Sequence, residues 1–169
     1  MLESKIRRRT DLQETFALRK FTVNDLQRIM QINRLCLPEN YSDYFFVDLA
    51  RKFPETFIIA EEKSEIIGYI MCRIETGLSN FGFGGIIKKG HIVSVAVMPD
   101  HRRHGMAKAL LARAFEGMRR YNAKQCFLEV RVSNDPAVGL YKKLEFEITR
   151  TVSGYYADGE GAYVMSKKL

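Results

Sequence analysis

The stretch AVMPDHRRHGMAKALL, rich in arginine and histidine, points most directly to chemistry. An apolar run ends at a proline, two arginines lie between two histidines, and a glycine precedes a run with helical periodicity. A helix N-terminus carries unpaired N–H groups and a partial positive charge, which suits a phosphate. Arg102 and Arg103 would add charge-assisted hydrogen bonds, and Gly105 would let the backbone approach an anion without a Cβ in the way. The pattern predicts a phosphate or pyrophosphate site at residues 102–107. An isolated turn of this kind is also typical of a solvated basic surface.

Other phosphate and metal motifs fit the sequence poorly. No G-x-x-x-x-G-K-[ST] loop occurs, and GFGGII from Gly82 lacks a third glycine and leads into a predicted strand. His101 and His104 are three residues apart, but the two arginines between them would repel a cation. A metal at His91 and Glu129 would have only two protein ligands, which is few. We therefore expect that no metal is required.

The elements that must position these residues alternate between strands and helices. Antiparallel hairpins flank a strand–helix–strand–helix centre, which predicts a mixed α/β (α+β) fold with one central sheet. Residues 76–90 are predicted to be a glycine-rich loop. The predicted elements are a strand in TFALRKF, a helix after a Thr22–Asp25 capping box, a helix in SDYFFVDLARKF capped by Ser42, a hairpin turning at Lys63–Ser64, a strand HIVSVAV, a helix from Met106, a strand CFLEVRV, a short helix capped by Asn134 or Asp135, and a final hairpin of FEITRTV and AYVMSKK.

Composition and length limit the classes to which this protein can belong. The chain has 169 residues, a net charge of +7 and 46% hydrophobic residues, as expected for one globular domain with a sizeable core. No apolar run approaches the ~18 residues of a membrane span, and no secretory signal is predicted. Three distant cysteines, without a C-x-x-C pair, are expected to be free thiols in a reducing cytoplasm. The positive charge permits an anionic partner without identifying one.

Five ordered motifs give the chain a resemblance to a known superfamily. RRHGMA fits R/Q-x-x-G-x-G/A, and a strand with an asparagine and then a tyrosine-bearing helix follow it. This resembles the GCN5-related N-acetyltransferase (GNAT) superfamily, in which that turn holds the pyrophosphate of acetyl-coenzyme A. LPENY, KGHIVSVAV, LEVRVSN, LYKKLEF and GYYADGE are similar to the archaeal and eukaryotic protein N-terminal (Nα) acetyltransferases and the ribosomal-protein alanine acetyltransferases. The resemblance implies a mostly antiparallel sheet whose central parallel strand pair forms the acetyl-CoA cleft.

The resemblance also implies which residues bind acetyl-CoA. Backbone groups of the strand and the basic turn would hold the pantetheine arm and the pyrophosphate, with the Arg102 side chain, and a strand N–H would polarise the thioester carbonyl. Tyr141 would protonate the leaving thiolate, although helical periodicity alone also fits a core aromatic. The implied cofactor residues are Val95, Ala96, Val97, Arg102, Arg103, His104, Gly105, Met106, Ala107, Asn134 and Tyr141.

His91 and Glu129 are the candidate bases. A peptide α-amino group has a pKa of ~7.7–8.0, so much of it must lose a proton before it attacks a thioester. Glu129 interrupts an apolar strand, where an unpaired carboxylate is costly. The resemblance implies that both residues act around an ordered water. Alternatively, His91 caps a strand end and Glu129 pairs with Arg131 or Lys124.

The resemblance places the peptide substrate against two loops. Glu39 and Tyr41 in LPENY match its substrate positions, and Tyr155 and Tyr156 match the facing loop. The resemblance implies protein N-termini as partners, and no membrane is expected. It leaves the need for an auxiliary subunit open, and a weak ribosome association through Arg7–Arg9 is compatible with it. Two other functions stay open: acetylation of lysine side chains or small amines, and a basic nucleic-acid- or ribosome-binding module. Residues 1–14 are expected to be a mobile polar extension and residues 15–169 the N-acetyltransferase domain.

Overall fold

One seven-stranded sheet organises the chain. The computed structural model describes residues 16–169, and the predicted extension over residues 1–14 lies outside them. The strand order is β1-β2-β3-β4-β5-β7-β6, and every neighbouring pair is antiparallel except β4 and β5. The mixed α/β class with one central parallel pair is therefore confirmed. The strands are β1 (Ala17–Lys20), β2 (Phe57–Glu62), β3 (Glu65–Leu78), β4 (Ile86–Val97), β5 (Gln125–Arg131), β6 (Glu147–Val152) and β7 (Ala162–Lys168).

Four helices cover the two faces of the sheet: α1 (Leu26–Cys36), α2 (Asp43–Lys52), α3 (Met106–Arg120) and α4 (Asp135–Lys143). Side-chain caps start α2 and α4 where the sequence predicts, and the Thr22–Asp25 capping box starts a short 3₁₀ turn that leads into α1. The Thr22 N–H donates to the Asp25 carboxylate at 2.7 Å, and Ser42 Oγ accepts from the Phe45 N–H at 3.3 Å. None of the helices among residues 16–169 has both the length and the apolar composition needed to cross a membrane.

Two apolar layers hold the helices on the sheet. On one face α3 buries a helical stripe that includes Leu110, Leu111 and Met118. On the other face α1 and α2 bury Ile29 and Phe46, among others. The side chains of successive strand residues point to opposite faces, so each central strand contributes to both layers.

The cysteines behave as the sequence predicts. Cys72 and Cys126 are buried, Cys36 is partly buried, and none of the three forms a disulfide. Burial raises the pKa of the Cys72 and Cys126 thiols, so both stay neutral in the core.

The predicted loop over residues 76–90 is the main error in the predicted elements. β3 continues to Leu78 and β4 begins at Ile86, so only residues 79–85 connect them. Cross-strand pairing decides the outcome, because Gly90 pairs within the ladder although glycine disfavours strands. A Cβ on Gly90 would lie 2.2 Å from the Met118 sulfur, so this glycine lets α3 approach the sheet.

Candidate active site

A cleft opens where the two central strands separate. β4 and β5 pair only through Lys89–His91 and Gln125–Phe127, so beyond these residues each strand has a backbone edge without a strand partner. The cleft has a volume of about 840 Å³ and continues between the α1–α2 loop and the β6–β7 loop. Among the residues that line it are nine of the predicted site residues: Glu39, Tyr41, His91, Val95, Glu129, Asn134, Tyr141, Tyr155 and Tyr156.

Strand alternation sets which backbone groups of β4 face this cleft. The Met98 N–H donates to the Ile67 carbonyl of β3 at 2.8 Å. Two residues earlier, the Ala96 backbone points the same way and pairs with β3, whereas the backbones of Val95 and Val97 point to the cleft. The prediction that all three residues offer their backbone to a ligand is therefore corrected for Ala96, because neighbouring residues of a strand face opposite edges.

The side chain of Arg102 binds the free backbone edge of β4 at its last residue, Val97. Its Nε donates to the Val97 carbonyl at 2.8 Å, and the Cys36 sulfur lies 3.7 Å from the same oxygen. That the Arg102 side chain helps to hold the pyrophosphate stays a prediction. Its Nε is used within the protein, because Val97 lacks a strand partner on this side, and its outer N–H groups are left for an anion. Within residues 16–169, Val95 keeps both an N–H and a carbonyl directed at the cleft.

The turn before α3 has the geometry of an anion site. Gly105 has φ 79°, in the left-handed region, and no heavy atom lies within 4 Å of where its Cβ would be. Because α3 begins at Met106, the N–H groups of Met106 and Ala107 have no carbonyl partner in the helix. Arg103 and His104 are exposed in the same turn. The predicted phosphate turn is thus an open N-terminus beside two cationic or polar side chains.

His101, the first histidine of that turn, has a partner on β2. His101 Nδ1 lies 2.9 Å from a Glu62 carboxylate oxygen, which ties the turn to β2. No group of three or more His, Cys, Asp or Glu side chains with metal-binding geometry occurs over residues 16–169.

α4 places two predicted cofactor residues beside the cleft. Asn134 Oδ1 accepts from the Ala137 N–H at 3.3 Å, so this side chain caps α4. Tyr141 is 7% exposed, and burial raises the pKa of its phenol to about 12. The phenol is therefore protonated at neutral pH and can act as a proton donor.

His91 and Glu129 form a close pair at the point where β4 and β5 separate. His91 Nε2 lies 2.6 Å from Glu129 Oε2, and the imidazole stacks on Phe127 with ring centroids 4.5 Å apart. His91 is only 8% exposed. The parallel register brings the two residues together, because His91 lies opposite Phe127, two residues before Glu129. The alternative that Glu129 pairs with Arg131 or Lys124 is not what the structure shows.

Three tyrosines from facing loops surround the opposite mouth of the cleft. The Tyr41 hydroxyl donates to the Val93 carbonyl at 3.3 Å, and the rings of Tyr155 and Tyr156 meet edge to face with centroids 5.0 Å apart. Burial is the main cause that raises the pKa of all three phenols, so they are neutral hydrogen-bond donors at physiological pH. The predicted substrate residues therefore lie together.

Arg131 joins those loops, a role that the sequence analysis missed. Its guanidinium donates to Glu39 at 2.9 Å, to Asp158 at 2.7 Å and to Glu160 at 2.9 Å, and it lies 4.0 Å from the centroid of the Tyr156 ring. These contacts raise the Arg131 pKa, first through Glu160. Glu39 is thus not an isolated negative charge, although it is the only acidic residue between Cys36 and Ser42. We call the ion pairs of Arg131 with Glu39, Asp158 and Glu160 the loop clasp. In the sequence, only the acidic residues of the DGE segment indicated such a contact.

Comparison with known proteins places this geometry in a family. Residues 26–146 match the acetyltransferase (GNAT) family. An N-alpha-acetyltransferase of Saccharolobus solfataricus is 45% identical over 161 residues, covering 94% of this chain and 96% of that protein. The N-terminal acetyltransferase A complex catalytic subunit NAA10 of Arabidopsis thaliana is 36% identical, covering 90% of this chain and 77% of that protein.

A solved structure agrees in fold. Ard1 from Thermoplasma volcanium superposes with a TM-score of 0.79 at 29% identity, covering 92% of this chain and 98% of that chain. The seven-stranded sheet with one parallel pair is the arrangement that the resemblance implied. The match over residues 26–146 and the 45% identity across nearly the whole chain confirm that resemblance. This chain belongs to the acetyltransferase (GNAT) family and is an acyltransferase.

Proposed function

We propose that this enzyme transfers the acetyl group of acetyl-CoA to the α-amino group of protein N-termini. The observation that most directly supports this function is the position of the His91–Glu129 pair. The pair lines the same cleft as the free backbone edge at Val95 and the loops that bear Tyr41 and Tyr155. A base at the meeting point of two binding surfaces suits a direct transfer between two substrates. The names of the relatives support protein N-termini as the acceptor.

Acetyl-CoA is the acetyl donor, and two parts of the chain suit its two polar segments. The N–H groups at the start of α3 and the exposed Arg103 are placed to hold a pyrophosphate. The N–H and carbonyl of Val95 are placed to pair with the amides of the pantetheine arm, and an N–H on this edge can polarise the thioester carbonyl.

The acceptor amine needs a base because attack requires its neutral form. Glu129, paired with His91, takes the proton of the amine, directly or through one water, as the C–N bond forms. The C–S bond breaks on the other side of the carbonyl carbon, and the neutral Tyr141 phenol gives a proton to the departing sulfur. One proton leaves the amine and one reaches the sulfur, so the transfer is balanced without a metal.

The peptide mouth is built to hold a backbone. Tyr41, Tyr155 and Tyr156 add apolar area and phenolic donors at a small entropy cost. Arg131 fixes Glu39 against the β6–β7 loop, so the two walls keep a constant spacing. In this proposal Glu39 sets the shape of the mouth together with Arg131.

We also propose a cytoplasmic location and an auxiliary subunit. The free thiols support a reducing compartment. The name of the Arabidopsis relative describes a catalytic subunit of a complex. In this chain, Leu35 near the end of α1 and Tyr44 near the start of α2 are 61% and 74% exposed, as apolar residues at a protein interface would be. The proposed ribosome contact through Arg7–Arg9 falls on residues outside the described part of the chain.

The test is release of free coenzyme A with short peptides of varied first residue. Each peptide carries one internal lysine and is assayed with a free and with a blocked α-amine. We expect coenzyme A release only with the free α-amine. Equal release from the blocked peptides would assign the activity to lysine side chains. Release with neither form, but salt-dependent binding of RNA, would favour the nucleic-acid-binding alternative.

A further inference from the structure

The second ring nitrogen of His91 has no partner although it is buried. Nε2 is paired with Glu129 Oε2, but Nδ1 makes no hydrogen bond. Buried polar atoms are normally paired, so an unpaired ring nitrogen beside the proposed base needs an explanation. Glu75 Oε2 lies 4.0 Å from Nδ1, too far for a direct hydrogen bond but close enough for a small side-chain rotation or one water to connect them.

Glu75 lies in a polar groove on the opposite side of the His91–Glu129 pair from the peptide mouth. The groove has a volume of about 550 Å³ and shares both members of the pair with the cleft. Arg73 is directly across β3 and β4 from His91, and Glu75 is the next residue of β3 on the same face. The Glu75 side chain is 36% exposed, and its Oε2 lies 3.3 Å from Arg73 Nε, an ion pair that lacks hydrogen-bond geometry. A carboxylate therefore stands at a site open to water and next to the unpaired nitrogen.

We propose that Glu75 is a positioning residue that acts through His91. Its carboxylate accepts a hydrogen bond from Nδ1–H and compensates the positive charge that the His91–Glu129 pair gains with the proton of the amine. Before the transfer the imidazole carries its one proton on Nδ1, so no proton lies between Nε2 and the Glu129 carboxylate. The amine N–H bond breaks, and its proton enters between Nε2 and Oε2 and forms the hydrogen bond seen there at 2.6 Å. The Nδ1–H bond stays intact, and no proton moves to Glu75. This arrangement orients the imidazole and strengthens the pair as a base, the relation that a carboxylate has to histidine in a catalytic triad. The inference rests on the proposed acetyl transfer.

Several other charged or titratable groups face the His91–Glu129 pair. The sign of each charge determines the direction in which its removal should shift the pH profile. Arg73 has the opposite charge to Glu75 at nearly the same place, so its loss must act in the opposite direction. The groups are Arg73 on β3, Lys89 on β4, Glu129 on β5, Arg150 on β6, and Tyr41 and Tyr155 on the two loops.

The experiment compares kcat–pH profiles of the whole enzyme and three variants. In Glu75→Gln we expect the acidic limb to move to lower pH by about one pH unit and the plateau kcat to fall roughly 3- to 10-fold, because the pair binds a proton less tightly. Peptide KM and acetyl-CoA Kd should stay within about twofold of wild type, since Glu75 touches neither ligand in this proposal. Arg73→Gln should move the same limb to higher pH. Glu65→Gln, on the exposed start of β3 and paired with Arg28, should change nothing.

Two outcomes separate this inference from the proposed function. If the acidic limb is unmoved in Glu75→Gln while wild type acetylates peptides, Glu75 has no such role and the proposed function stands. If wild type releases no coenzyme A with any peptide, the proposed function fails, and the contact is judged from ¹⁵N spectra of the His91 ring in ligand-free protein. There we expect a protonated Nδ1 in wild type and a shift toward the unprotonated value in Glu75→Gln. Identical spectra would overturn the inference.

Discussion

Replacing Gly105 by alanine should separate cofactor binding from folding. Gly105 has φ 79°, and a left-handed conformation costs an ordinary residue about 1–2 kcal/mol. No heavy atom lies within 4 Å of the added Cβ, so no clash inside the protein adds to this cost. For a domain of this size, each 1 kcal/mol lowers the melting temperature by roughly 2–4 °C. We therefore expect Gly105→Ala to fold and to melt about 2–8 °C below wild type.

The loss of acetyl-CoA affinity should be larger than this strain implies. The new methyl group occupies the open space over the first N–H groups of α3, where we place the pyrophosphate. Losing one hydrogen bond to a charged group costs about 1.5–3 kcal/mol, which corresponds to a roughly 10- to 100-fold higher Kd.

Calorimetry with acetyl-CoA, together with thermal melting of the ligand-free protein, measures both effects. Gly82→Ala is the matched control, because Gly82 has φ 67°, has equally open space around its Cβ and lies in the β3–β4 loop. The control should lower the melting temperature similarly and leave the Kd unchanged. A wild-type Kd in Gly105→Ala would refute the assignment of the phosphate turn.

Three further predictions concern the proton donor, the loop clasp and the packing of α3. Tyr141→Phe should lower kcat roughly 10²-fold with an unchanged peptide KM, and a normal kcat would remove the phenol from the mechanism. Glu39→Gln and Arg131→Gln should each raise peptide KM, and the double variant should be no worse than Arg131→Gln alone. Additive effects in this cycle would mean that the two side chains act independently. Gly117→Ala should lower the free energy of unfolding by about 3 kcal/mol or more, because its Cβ would lie 2.0 Å from the Glu55 carbonyl oxygen. An unchanged midpoint of chemical unfolding would contradict this packing.

The sequence predicts the elements well where local chemistry decides. Helical periodicity and caps at Thr22, Ser42 and Asn134 place three helix starts, and Glu129 stands out because a carboxylate interrupts an apolar strand. The glycines of residues 76–90 led to the wrong prediction of a loop, and the reason is physical. Pairing with a neighbouring strand overrides their low strand propensity, and that pairing is not visible in local sequence.

The site residues that the sequence misses depend on contacts between distant segments. Arg131 binds carboxylates 92, 27 and 29 residues away. Glu75 Oε2 lies 4.0 Å from His91 Nδ1 only because β3 and β4 form a hairpin with a particular register. The sequence shows that such residues are charged, but their partners can be identified only in the folded sheet.

The central claim is that the His91–Glu129 pair removes the proton of the acceptor amine. The most direct test is steady-state kinetics of Glu129→Gln and His91→Ala with a free N-terminal peptide, alongside calorimetric acetyl-CoA Kd values. We expect kcat to fall ~10²- to 10⁴-fold in each variant, with little change in acetyl-CoA Kd. Wild-type kcat in both variants across the pH range would contradict the claim and place the base elsewhere.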